Sequence, residues 1–169
     1  MIEYKNWLCM DEITFQKELA QGIQYRTDGH HELARHTFDS LLIARPDDAL
    51  LHYQMAWTCD AMGAEHAAVP YYERAVELGL TGADLRGALL GMGSTHRTLG
   101  NYTQAAEVLE QGLTTFEDGR EFAVFLAMAY YNLGRHQEAM QLLLQTIADT
   151  SDNAQVQRYR CAIEFYLCR

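Results

Sequence analysis

A chain of 169 residues, 49% hydrophobic and 21% charged, has room for one domain or one short repeat array and the balance of a soluble globular fold. Its formal net charge of -10 argues against nucleic acid and against an anionic membrane surface as partners, since both call for a basic face. With only two prolines, Pro46 and Pro70, helices are expected almost throughout.

In chain order, residues 1–5 show neither a basic start nor a long apolar run, so no signal peptide is expected, and no stretch approaches transmembrane length. Residues 1–11 carry Trp7 and Leu8, which either pack on the first helix pair or form a loose tail. Apolar residues then recur at helical spacing, predicting paired helices over 12–27 and 31–44, 48–62 and 66–78, 83–98 and 102–115, and 120–133 and 137–149. Pro70 is placed early in its helix, near the turn whose amide hydrogens lack intrahelical partners. The run Thr150-Ser151-Asp152-Asn153 offers N-cap residues for a last helix, about 153–167, with Val156, Tyr159, Ile163, Tyr166 and Leu167 on one stripe. That stripe is expected to cover the last apolar face.

The pairs repeat. Gly29, Gly63, Gly100 and Gly134 are separated by 34, 37 and 34 residues. Five residues after each stands an alanine: Ala34, Ala68, Ala105 and Ala139. Seven residues before each stands a small residue: Gly22, Ala56, Gly93 and Ala127. Nine residues after each stands a large apolar one: Phe38, Tyr72, Leu109 and Leu143. A glycine closing the first helix of a pair can take the left-handed conformation, and small residues let backbones approach. A single helical hairpin cannot bury its own apolar face, so such units stack.

This pattern resembles the tetratricopeptide (TPR) repeat: Gln21-Gly22-x-x-Tyr25, Ala34-x3-Phe38 and Pro46 in the first unit, Leu126-Ala127-x-x-Tyr130 and Ala139-x3-Leu143 in the fourth. The tryptophan position holds Glu18, His52, Leu89 and Ala123, and only the first unit keeps the final proline. Runs such as 68–75, 86–94 and 131–136 look like those of small stand-alone bacterial TPR proteins with no assigned activity. The resemblance implies a single all-α domain over 1–169, a right-handed superhelix of four repeats (about 15–48, 49–82, 86–119 and 120–152) closed by a capping helix.

Catalytic and metal chemistry are not legible. His30, His31, His66 and His136 lie in or near turns of different repeats and supply no complete ligand set. His96 is expected to be a partly buried packing residue. Cys9, Cys59, Cys161 and Cys168 form neither a zinc pattern nor a disulfide framework, which suits a reducing, cytoplasmic setting. In Gly91-Met92-Gly93-Ser94 no lysine follows, so its glycines are read as helix contacts and not as a phosphate loop. No nucleophile elbow appears. The expectation is a non-enzyme without cofactor.

The TPR resemblance further implies that the first helices line a concave groove, through Leu19, Ile23 and Arg26, then Leu50, Tyr53 and Trp57, then Leu90 and Arg97, then Val124, Met128 and Tyr131. Leu19, Ile23 and Trp57 stand where carboxylate-clamping TPR domains carry lysine and asparagine, so a chaperone-tail receptor is not expected. An apolar strip of this kind takes a protein helix or peptide, a second copy of the chain, or the chain's own end helix. The expected function is an interaction scaffold anchored at Trp57 and Tyr131. The alternative is a regulatory subunit or small-ligand sensor that closes over a peptide or metabolite.

Overall fold

Side-chain volume and backbone freedom explain the helix pairs. The structure, a computed structural model, describes residues 10–167, with side chains through Phe165. The expected roles of Trp7, Leu8, Cys9, Cys168 and the side chains of Tyr166 and Leu167 fall outside that range. Every described element is a helix: α1 Glu12–Thr27, α2 His31–Ala44, α3 Ala49–Ala61, α4 Glu65–Glu77, α5 Gly82–Thr98, α6 Tyr102–Thr115, α7 Arg120–Asn132, α8 His136–Thr150, α9 Ala154–Arg158 and α10 Arg160–Leu167. The chain is all-α over the described residues, with helix pairs α1–α8 followed by two shorter C-terminal helices, the second of them packed on α8. No described helix is long and apolar enough to cross a membrane.

The four repeat glycines do what their spacing suggests. Gly29, Gly63, Gly100 and Gly134 have φ between 70° and 80°, where a Cβ would be strained. After α1, the Gly29 amide donates to the Arg26 carbonyl and the His30 amide to the Tyr25 carbonyl, the paired bonds that satisfy the helix's last acceptors. At the other ends, Asp11, Asp48 and Asn153 accept the exposed amides of α1, α3 and α9.

Contacts divide the chain into a unit through Thr95 and a unit from His96, a boundary that falls inside α5. In the first unit α1–α4 bury Phe15, Phe38, Leu41, Leu51, Met55 and Tyr72. The expected partnership of small and large residues is direct at Gly22, where a Cβ would come within 2.6 Å of the Phe38 ring. Gly91 faces the Tyr72 ring just as closely, so this glycine is a helix contact. In the second unit Leu109, Phe122 and Leu126 form the core, and a Cβ on Gly112 would collide with Phe122. His96 is buried, at 7% exposure, as a packing residue would be.

Two local expectations need correction. Pro70 is the sixth residue of α4, past the first turn, so α4 forgoes one internal hydrogen bond there. The last helix is not continuous: it breaks at Tyr159, whose amide bonds to the Val156 carbonyl, and α10 follows packed against α8. The break takes Tyr159 off the expected stripe and leaves it 60% exposed, while Val156 and Ile163 are half-buried.

Candidate functional site

On the first helices of the repeats, burial separates the expected groove residues into supports and presented surfaces. In the first unit Leu19, Arg26 and Tyr53 are buried, Ile23, Leu50 and Leu90 are half-buried, and Trp57 is exposed. The Arg26 guanidinium donates to the Gln54 side-chain oxygen at 2.5 Å and to the Gln54 carbonyl at 3.3 Å. The Trp57 ring covers it at 3.9 Å and stacks beside Tyr53 at 5.8 Å. Gln54 and Trp57 are three apart on α3, so one face of that helix supplies both the acceptor and the lid. Burial pulls the Arg26 pKa below its ordinary value, and Gln54 meets the charge without neutralising it.

A second polar cluster lies in the same unit. The Asp60 carboxylate accepts from the Tyr72 hydroxyl at 2.8 Å and from the Thr95 hydroxyl at 2.8 and 2.9 Å. Burial raises the Asp60 pKa, and these hydrogen bonds partly offset it. The Tyr72 hydroxyl is pushed far up, first by burial and then by the neighbouring carboxylate.

In the second unit the presented surface is apolar and concave. Met128 and Tyr131 of α7 are 41% and 65% exposed, and Met140 of α8 is 48% exposed. With Leu143, Asn132, His136 and Arg97 they line a pocket of about 380 Å³. The Tyr131 ring meets His136 at 4.8 Å across the α7–α8 turn. Val124, expected on the same strip, is half-buried and is not part of this lining. Met140 was not among the expected site residues, and Leu143 was expected only as packing. The legible signal for both was their place in the last helix pair: α10 packs on α8, yet the lining of the pocket comes from α5, α7 and α8.

Among the described residues no three potential metal-binding side chains cluster. Cys59 is buried and Cys161 exposed, both as free thiols.

Several solved structures are similar in fold. YrrB, a TPR protein with an unusual peptide-binding site, matches with a TM-score of 0.73 at 17% identity over 89% of this chain and 76% of its own. Cut9, in its APC/C hetero-tetramer with Hcn1, gives 0.73 at 18% identity over 88% of this chain and 29% of the other. MamA from Desulfovibrio magneticus RS-1, from residue 41 to its end, gives 0.70 at 16% identity over 95% and 96%. Identities this low speak for the fold alone. No curated protein matches the sequence. The family profile described as tetratrico peptide repeat matches residues 49–168, well over half of the chain, and the four-fold register of helix pairs extends the same pattern back to α1. The chain belongs to the tetratricopeptide repeat family.

Proposed function

We propose that this protein is a non-catalytic interaction scaffold that holds a peptide or helix of another protein. The observation that carries the proposal is the apolar pocket of the second unit, where Met128, Tyr131 and Met140 stand exposed around about 380 Å³ of open space. Neighbouring apolar side chains left in water at a concavity are the ordinary mark of a recognition surface. Exposed aromatics in such places tend to dominate binding energy. The fold likeness to YrrB, a protein with a peptide-binding site, supports the same reading. In the first unit, Trp57 is the presented group, but its ring is also engaged over Arg26, so it serves as an anchor only in part.

The second reading, a small-ligand sensor, draws on the pocket's size, which lies within the range of about 300–1,000 Å³ typical of small-molecule sites. The polar group beneath Trp57 argues against such a site in the first unit, because Arg26 already bonds to Gln54. A partner captured from the native host and identified by mass spectrometry tests the proposal, with wild type compared against Tyr131→Ala. Loss of a specific protein with helix content unchanged supports a scaffold. Retention of every partner by the variant sinks the pocket as the site, and a homodimer that dissociates on Tyr131→Ala makes the partner a second copy.

A further inference from the structure

The same repeat position carries an arginine twice, and one of the two keeps a buried donor nitrogen without an acceptor. Arg26 and Arg97 each stand four residues after the small residue of their first helix, Gly22 and Gly93. For Arg26, the first helix of the following pair supplies an acceptor, Gln54, two residues before its own small residue Ala56, and a ring, Trp57, one residue after it. For Arg97 the corresponding positions in α7, around Ala127, are Phe125 and Met128. The acceptor has been replaced by a hydrocarbon ring, and Phe125 can accept no hydrogen bond from a guanidinium.

In Arg26 it is Nη1 that donates to Gln54, and in Arg97 the nitrogen left over is the neighbouring one of the fork. Arg97 Nε is buried with no hydrogen-bond partner among the described residues. Arg35, Arg45, Arg74, Arg120, Arg135 and Arg160 each meet a carboxylate. A chain with ten more negative than positive charges thus leaves this guanidinium nitrogen unmatched, on a residue that lines the apolar pocket. Buried donors without acceptors are rare because each forfeits its hydration without return. The net negative charge does not bar an acidic ligand, since repulsion from exposed carboxylates fades within a screening length of about 8 Å at physiological salt.

We propose that this pocket recognises a peptide segment in which an Asp or Glu side chain lies beside a bulky apolar residue. The carboxylate takes the Arg97 guanidinium, and the apolar side chain fills the space among Met128, Tyr131 and Met140. A carboxylate suits a guanidinium better than the neutral amide that serves Arg26, because both of its oxygens can accept from the fork. The acid belongs to a side chain and not to a chain end, by analogy with Arg26, whose acceptor projects from the middle of a helix. This inference rests on the peptide-binding reading and specifies the chemistry of the peptide.

The test is a selection of random peptides displayed against the full chain, followed by titration of the selected peptides, synthesised with both ends blocked, by fluorescence anisotropy. The expected consensus pairs Asp or Glu with an aromatic or large aliphatic residue within one helical turn. Replacing that acid by its amide, or making Arg97→Met, is expected to weaken binding at least about tenfold, the worth of a hydrogen bond to a charged group. The two changes together should cost little more than either alone. Arg97→Lys, which keeps the charge and loses the fork, should fall between and guards against a folding defect in the methionine variant. Peptides that need Tyr131 but are indifferent to both Arg97 variants would overturn the acidic specificity and leave the peptide-binding reading intact. Peptides that bind only with a free carboxyl terminus would overturn the side-chain assignment. Failure to select any peptide sensitive to Tyr131→Ala would overturn both readings together.

Discussion

Gly22→Ala sets two effects of opposite sign against each other. Alanine is the better helix former, worth about 1 kcal/mol over glycine in a helix interior. The new Cβ would lie 2.6 Å from Phe38 Cε1, 2.9 Å from Cζ and 3.2 Å from Cδ1. Phe38 is fully buried, so its ring has no solvent to swing into, and the backbones of α1 and α2 must part instead. Overpacking of this kind costs about 1–3 kcal/mol, and contact below van der Waals distance with three ring atoms places it in the upper half of that range. The net expectation is a loss of about 1–2 kcal/mol. At about 2–4 °C per kcal/mol for a chain of this size, melting should fall by about 2–8 °C. Thermal and urea unfolding followed by far-ultraviolet circular dichroism measure it. A variant more stable than wild type would mean that helix propensity wins, and that the close approach of α1 and α2 through Gly22 is not what holds the first pair together.

Three further outcomes rest on the same geometry. Trp57→Ala uncovers the buried Arg26 guanidinium and removes the stack on Tyr53, so it should cost about 1–2 kcal/mol in urea unfolding despite the exposure of Trp57; an unchanged midpoint would refute that support role. Tyr131→Ala, at a position 65% exposed, should shift stability by less than about 0.5 kcal/mol, and a large loss would make Tyr131 a core residue. Asp60 has a folded pKa raised by burial, so the folded state holds its proton more tightly than the unfolded chain. Its contribution to stability is therefore fully present below the ordinary aspartate range and is lost as pH rises through the folded value. Asp60→Asn, which can still accept from Tyr72 and Thr95, should flatten that decline and be no less stable than wild type at neutral pH. Urea midpoints of both proteins across mildly acidic to neutral pH check the sign, and a variant that keeps the wild-type slope would refute it.

The helix pairs were legible in the sequence because their determinants are local. A glycine that must adopt positive φ and a small residue that must accept a ring leave a periodic trace, and the expected boundaries of α1 to α8 lie within a residue of those observed. Residue exposure was less legible because it depends on which helix comes next. Tyr53 and Leu19 sit at positions that face a groove in the general repeat, yet neighbouring aromatic and aliphatic side chains bury them here. Trp57 was expected as a free anchor, and the structure gives it a second task over Arg26. Phe125 stands where the second repeat has Gln54, a comparison that means something only once the Arg26–Gln54 bond is seen, and the buried Arg97 Nε without a partner had no trace in the sequence. The break at Tyr159 had no glycine or proline to announce it.

The central claim, that the pocket of the second unit is the recognition surface, is tested most directly by methyl resonances of labelled methionine. The chain has seven methionines; Met128 and Met140 line the pocket, whereas Met55 is fully buried in the first unit. Titration with a selected acidic–apolar peptide should shift the Met128 and Met140 methyl signals together and leave Met55 in place, and Tyr131→Ala should abolish the shifts. Saturable binding that moves other methionines while Met128 and Met140 stay fixed would contradict the account.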